Sequence, residues 1–140
     1  MAEHTPFPVH VLTPEGELFG GEVQMISTRT TVGSIGVLAR HEPLLATLEP
    51  TELRLYLTES EILRFAQSEG YMQVGGNSAL LLLQEARPPD ELDRGLLAER
   101  LAEAERELEQ APEGSERRRS AERERRRLSV FLAIADGTHR

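Results

Sequence analysis

Two adjacent prolines divide this sequence of 140 residues into segments that cannot belong to one continuous helix. Pro88 and Pro89 lack backbone N–H groups and restrict the residues before them, so a helix ends at this point. The composition changes at the same place. Residues 1–89 contain eleven Glu, no Asp and five Arg, whereas residues 90–140 contain thirteen acidic residues and eleven Arg among mainly Ala and Leu. We therefore predict two domains, residues 1–87 and residues 88–140.

The first domain is predicted to consist of short strands. Residues 53–57 alternate apolar and polar side chains with a period of two, which is typical of a half-buried strand. Residues 79–83 are a continuous apolar run, which predicts a strand buried on both faces. Residues 33–38 predict a tight turn that enters a short strand. Turn sequences such as residues 75–77 recur between these segments, and several short strands with such turns predict a β-sandwich or a barrel.

The second domain is predicted to be two helices. Asp90 follows the prolines and is the expected N-cap, with Asp93 three residues later as a capping-box partner. Apolar residues then recur at heptad spacing, at Leu97, Leu101, Ala104, Leu108 and Ala111. Residues 112–115 interrupt the pattern, and Ser115 is the expected cap of a second helix that ends near residue 136. A break this short predicts antiparallel neighbouring helices.

The two predicted helices carry opposite charge. Residues 90–113 hold nine acidic residues against three Arg, and residues 114–127 hold seven Arg against three Glu. Each exposed ion pair between such helices contributes only a few tenths of a kcal/mol. The apolar seam must therefore hold the hairpin, and it is mostly Ala and Leu. We expect a weakly held hairpin that is able to open.

The residue types argue against an enzyme. The absence of Cys excludes disulfides, thiolate zinc sites and thiol nucleophiles, and the absence of Lys excludes a P-loop. None of the four His lies at metal-ligand spacing from another His or a close acid. Glu15 and Glu17 are a possible carboxylate pair for a β-sandwich glycosidase, but the chain has no Trp to stack against a sugar.

Membrane and nucleic-acid functions are also disfavoured. The longest apolar run, residues 79–83, is far shorter than the roughly 20 residues of a membrane span, and residues 1–6 do not resemble a signal peptide. We expect a soluble, intracellular chain. The arginine runs at residues 117–119 and 125–127 allow three interpretations: nucleic-acid binding, a helix face neutralised by the first helix, or contact with an acidic protein. The net charge of −8 disfavours the first.

One motif is specific enough to indicate a family. Gly33 and Gly36 are followed by Val-Leu, then by His41, and then by Pro-Leu-Leu at residues 43–45. Further similarity lies in residues 11–16, 18–23, 53–54 and 70–74. In these segments, and in having a strand-rich domain before two helices, the sequence resembles the ε subunit of F-type ATP synthases over nearly its whole length.

The resemblance implies the fold class α+β, with an N-terminal antiparallel β-sandwich followed by a C-terminal antiparallel two-helix hairpin. It also implies a function without catalysis, that of a central-stalk rotor subunit that couples the c-ring and the γ subunit to the catalytic head in proton-driven ATP synthesis. The expected partners are γ, the c-ring and, when the helices extend, the α/β head, where they would block ATP hydrolysis. The expected location is the cytoplasmic face of a bacterial inner membrane, with membrane contact only through the complex and no nucleic acid.

The resemblance further implies two groups of site residues. Ser34, Arg40, His41 and Glu42 are expected at the contact with the rotor ring or γ. The inhibitory helix is expected to face acidic residues of the β subunit through Arg118, Arg119, Arg123, Arg125, Arg126 and Arg127.

The expectation for cofactors is that there are none. Some family members bind ATP through an Ile/Leu-Asp-x-x-Arg-Ala motif at the first helix. Leu92 and Asp93 match it, but Leu96 stands where Arg would be, and Arg94 lies on another face of the helix. We expect weak or absent ATP binding. The residues alone leave open three other functions: a free-standing nucleotide sensor of the same fold, an enzyme on a β-sandwich and a nucleic-acid adaptor with a basic helix.

Overall fold

The computed structural model describes residues 4–139, which form two compact units. The first unit ends at Pro88, and the second begins at Pro89. Within the described residues, the first unit contains ten strands, and the second contains a short 3₁₀ turn and two α-helices.

The first unit is built almost entirely from antiparallel strands. Its strands are β1 Phe7–Thr13, β2 Gly16–Val23, β3 Met25–Thr30, β4 Gly33–Val37, β5 Leu44–Leu48, β6 Thr51–Tyr56, β7 Ile62–Gln67, β8 Gly70–Gly75, β9 Ser78–Leu83 and β10 Ala86–Arg87. They are hydrogen-bonded in the order β10-β7-β6-β3-β5-β8-β9-β1-β2, and β4 pairs with β3. The exception is the pair of β1 and β9, which run parallel. A parallel pair needs a long connection, and here β2 to β8 supply it.

Strand β3 joins two groups of strands into a sandwich. Its first residue, Met25, lies opposite Tyr56 of β6, and its last, Thr30, lies opposite Leu48 of β5. Strands β6, β7 and β10 follow on one side of this junction, and β5, β8, β9, β1 and β2 on the other. The inner faces of both groups contribute to one buried apolar cluster. The predicted β-sandwich is confirmed.

The alternation of side chains explains most of this core, but the prediction for residues 79–83 is wrong. On β6, Leu53 and Leu55 are fully buried, as their period of two indicates. On β9, Leu81 is also fully buried, whereas Leu82 is 45% exposed. Successive side chains of a strand point to opposite faces, and only one face of β9 meets the core. The apolar run therefore supplies both the core and an outer surface.

The second unit contains α1 Arg94–Gln110 and α2 Glu116–Ala135. The predicted cap at Asp90 is wrong, because Pro89–Glu91 form a 3₁₀ turn and the cap of α1 is Asp93. The Asp93 carboxylate accepts a hydrogen bond from the Leu96 N–H at 3.0 Å. Ser115 caps α2 as predicted, accepting from the Arg118 N–H at 3.1 Å.

The helices form an antiparallel hairpin, as predicted. Side chains at opposite ends of the two helices pair with each other, Arg94 with Asp136 and Glu107 with Arg117. The buried seam consists of Leu97, Ala104, Leu108 and Ala111 with Ala121, Leu128, Phe131 and Ile134, whereas Leu101 is half-buried. The middle of the seam is thin, because Ala104 and Ala121 both line an open groove of about 550 Å³.

Candidate functional site

An apolar surface covers the outer face of β5, β8, β9 and β1. Two rows of directly paired residues run across these strands. The first row is Thr47, Tyr71, Leu82 and Leu12, and the second is Leu45, Gln73, Leu80 and His10. We call these eight residues the outer sheet face. Directly paired residues point to the same side of a sheet, so the two rows form one surface.

The outer sheet face exposes several large apolar side chains. Leu45 is 75% exposed, Tyr71 is 57% exposed, and Leu82 lies between them and the half-buried Leu12. A contiguous apolar patch of this kind marks an interaction site. The sequence analysis did not predict this surface. The unbroken apolar run at residues 79–83 was the available signal, because a strand with only one face against the core does not need Leu on its outer face.

The tip of the β3–β4 hairpin is a second exposed feature. The Thr30 hydroxyl accepts from the Val32 N–H at 3.2 Å and donates to the Gly33 carbonyl at 3.1 Å, which fixes the loop. Gly33 has φ +132°, so the tight turn predicted at this point is present. Val32 is 96% exposed, and the predicted site residue Ser34 stands beside it, also exposed.

The predicted residues Arg40, His41 and Glu42 form a corner after β4. The His41 N–H donates to the Leu38 carbonyl at 3.2 Å, and the His41 ring donates from Nδ1 to the Glu42 carbonyl at 2.7 Å. The structure thus brings these three residues together. It does not bring Ser34 to them, because Ser34 is near the start of β4 and the corner follows the end of that strand.

The arginines of α2 are largely engaged inside the hairpin. The Glu107 carboxylate pairs with Arg117, which lowers the pKa of Glu107 and raises the pKa of Arg117. Hydrogen bonds from Arg123 and Arg119 likewise lower the pKa of Glu116. The shifts of Glu107 and Arg117 favour the charged pair that joins α1 to α2, whereas the contacts of Glu116 lie within α2.

Arg118 makes the most specific contact of this group. Its Nη1 donates to the Leu108 carbonyl at 2.8 Å and to the Ala111 carbonyl at 3.3 Å. These are carbonyls of the last turn of α1, which lack partners within the helix. Arg119 similarly donates to the Gly114 carbonyl at 2.8 Å. A guanidinium from α2 therefore caps α1, where the helix dipole also favours a cation.

The six predicted inhibitory arginines therefore differ in their environment. Backbone carbonyls at or near the turn bind Arg118 and Arg119, and the Glu116 carboxylate binds Arg123. Arg127 pairs with Glu124. Arg126 also has a partner. Arg125 is exposed, and its guanidinium contacts no acceptor among residues 4–139. In the closed hairpin it is the one member of the predicted set, within that range, that is free to meet another molecule.

Across residues 4–139, no group of three His, Asp or Glu side chains is arranged to hold a metal ion. Within the same range, neither α1 nor α2 combines the length and the apolar character that crossing a membrane requires.

Comparison with known proteins identifies the family. The family model of the ATP synthase delta/epsilon chain β-sandwich domain matches residues 6–89. The chain belongs to this family. The ATP synthase epsilon chain of Persephonella marina is 34% identical over 130 residues, which cover 92% of this chain and 96% of that relative. That of Halalkalibacterium halodurans is 32% identical over 127 residues, covering 91% and 95%.

Solved structures agree on the fold. A chain in the Euglena gracilis mitochondrial ATP synthase, determined with OSCP, F1 and c-ring, matches with a TM-score of 0.77 and 23% identity, covering 99% of this chain and 85% of that one. A chain from the central stalk and c-ring of the Tetrahymena thermophila enzyme matches with a TM-score of 0.59 and 17% identity, covering 98% and 99%. As an F-type epsilon-family member, the chain is a non-catalytic central-stalk subunit.

Proposed function

We propose that the β-sandwich transmits rotation between the c-ring and the γ subunit, and that the helical hairpin inhibits ATP hydrolysis when its helices separate. The observation that carries the first part is the outer sheet face, whose exposed Leu45, Tyr71 and Leu82 need a covering partner. In a central-stalk subunit that partner is γ. Burial of this surface supplies a rigid attachment, which a rotor needs in order to transmit torque.

The ring contact is proposed at the tip of the β3–β4 hairpin. Val32 and Ser34 are exposed there, and neither side chain is charged. The tip therefore offers one apolar and one hydroxyl contact to the polar loops of the c-ring. The corner of Arg40, His41 and Glu42 lies past the other end of β4 and is proposed to contact γ instead. The residues predicted to contact the rotor ring or γ are therefore divided between these two partners.

The inhibitory role is proposed to depend on the α2 arginines. In the closed hairpin, Arg118 and Arg119 bind backbone carbonyls of the turn. When the helices separate, these guanidinium groups become available to acidic side chains of the α/β head, together with Arg125. The same residues thus stabilise both the closed and the open hairpin. The equilibrium between the two states depends on which set of acceptors binds the arginines more strongly.

The setting proposed is proton-driven ATP synthesis at the cytoplasmic face of a bacterial inner membrane, within the complex. No cofactor is needed for this role. Arg94, the arginine nearest the position of the ATP motif, pairs with Asp136 at the far end of α2, and Leu96 offers no charge to a phosphate.

Binding to a purified αβγ head of the same complex tests the proposed attachment. Leu45→Glu should weaken binding by at least tenfold, because it puts a charge at the most exposed apolar residue of the outer sheet face. Val32→Glu is the matched control: it adds the same charge at an exposed apolar residue of the hairpin tip and should leave αβγ affinity unchanged. Equal affinity for both variants and the unchanged chain would contradict the proposed surface.

A further inference from the structure

Arg40 has a backbone conformation that is unfavourable for its residue type. Its φ is +61°, in the left-handed region that Gly and Asn adopt readily and other residues rarely do. It is the third residue of the turn closed by the hydrogen bond from the His41 N–H to the Leu38 carbonyl. Asn or Gly would occupy this position without strain.

A second loop holds Arg40 in this conformation. The Arg40 N–H donates to Oδ1 of Asn77 at 2.9 Å. Asn77 lies in the two-residue turn between β8 and β9, where Gly76 and Asn77 have φ +58° and +61°. Two consecutive residues with positive φ are typical of the tight hairpin turn that matches strand twist. The hairpin therefore fixes Asn77, and Asn77 fixes Arg40.

Nothing within the described chain uses the Arg40 side chain. Its guanidinium contacts no acceptor among residues 4–139, and the residue is exposed. The neighbouring carboxylate of Glu42 is not paired with it. Strained backbone is concentrated at functional sites, so this exposed cation is a candidate for contact with another molecule.

The position of Arg40 identifies the surface it serves. Asn77 lies in the turn that joins Gly75 and Ser78, the last pair of the β8–β9 hairpin. A shallow depression of about 330 Å³ extends from these residues to His10 and Leu80 of the outer sheet face. Arg40 therefore stands at the rim of an apolar surface, and Arg is enriched in interfaces whose apolar core is surrounded by a polar rim.

We propose that Arg40, held by Asn77, binds a carboxylate on the stalk subunit that covers the outer sheet face. The proposal rests on the proposed attachment of the sandwich to γ. A carboxylate matches the planar fork of the guanidinium, which forms two parallel hydrogen bonds with it. Asn77 is a positioning residue, and it acts through the Arg40 backbone.

Three substitutions at Arg40 separate its charge from its strain. Arg40→Asn and Arg40→Gly remove the charge and suit a positive φ, whereas Arg40→Lys keeps both the charge and the strain. We expect Arg40→Asn to raise the melting temperature of the full chain by about 2–4 °C, since the strain is relieved. Both neutral variants should bind the αβγ head about tenfold more weakly at low salt, and Arg40→Lys, which keeps the charge but not the fork, should bind with an affinity between theirs and that of the unchanged chain.

Two further variants complete the experiment. Asn77→Gly keeps the turn but removes Oδ1, so it should weaken binding although Arg40 is present. Arg64→Asn removes an exposed arginine on β7 that pairs with Glu52, and it should not affect binding. Unchanged affinity of Arg40→Asn, with normal binding by the unchanged chain, would overturn the role of Arg40 and leave the proposed attachment standing. No binding by the unchanged chain would overturn both.

Discussion

Replacing Arg118 by Gln should open the hairpin and strengthen inhibition, although Arg118 is itself one of the predicted inhibitory arginines. The substitution removes the donor that bonds the carbonyls of Leu108 at 2.8 Å and Ala111 at 3.3 Å. In the closed state these carbonyls then depend on water. The open state loses only one of several arginines that face the head, so the closed state loses more stability than the open state.

The structure sets the size of the effect. A hydrogen bond from a charged group contributes about 1.5–3 kcal/mol when well formed. Here one of the two bonds is long, and the Arg118 side chain is 32% exposed, so solvent screens it. We therefore expect the substitution to destabilise the closed hairpin by about 1–2 kcal/mol, which raises the ratio of open to closed hairpin about 5- to 30-fold.

Two labels report this shift directly. Glu99 on α1 and Ser129 on α2 are exposed and lie on helices that run antiparallel, so labelled cysteines at both positions measure helix separation. The chain has no other Cys to interfere. Arg118→Gln should broaden the distance distribution towards long separations and make the chain a stronger inhibitor of αβγ ATP hydrolysis.

Arg125→Gln is the matched control, because Arg125 contacts no acceptor within residues 4–139 in the closed hairpin. It should leave the label distance unchanged and make the chain a weaker inhibitor. Opposite effects of the two substitutions on hydrolysis are the distinctive result. If both relieve inhibition to the same extent and neither changes the distance, the reasoning about Arg118 is refuted.

Three other predictions follow from particular contacts. The Arg117 guanidinium holds the pKa of Glu107 below its usual 4.5, so the pair that joins the helices should contribute fully above that pH and helix-pair stability should fall as acid protonates Glu107, measured by label distance; a constant distance down to pH 3 would count against this. Gly70→Ala should lower the unfolding free energy by about 2–4 kcal/mol in urea, because a Cβ would overlap the Leu82 carbonyl; a cost below 0.5 kcal/mol would show that β9 yields easily. Millimolar Mg-ATP should shift the melting temperature by less than about 1 °C, since Leu96 replaces the motif arginine; a larger shift would demonstrate binding.

The elements were predictable where the signal was local. A period of two identified β6, and heptad spacing identified the seam from Leu97 to Ala111. Ser115 was recognisable as a cap because a polar residue with a short side chain followed a Pro-containing break. The cap of α1 was predicted wrongly because Asp90 and Asp93 are both suitable residues three positions apart. Only the 3₁₀ turn at Pro89–Glu91, which the sequence does not reveal, decides between them.

The surfaces were not predictable, because they depend on pairings between distant segments. The outer sheet face arises only when Leu45, Tyr71, Leu82 and Leu12 align in register. Likewise, the bond between Arg40 and Asn77 joins residues far apart in the sequence. The sequence shows the α2 arginines as a charged group, but their division into bound and free members depends on the geometry of the hairpin.

The most direct test of the account is the ATP hydrolysis rate of an αβγ head with the full chain, compared with a chain that ends at Arg87. The shortened chain keeps all strands of the sandwich, including β10. We predict that both bind the head and that only the full chain slows hydrolysis, since the sandwich attaches the subunit and the helices inhibit. A shortened chain that binds and inhibits as strongly would contradict the role of the helices, and a full chain that neither binds nor alters the rate would contradict the whole account.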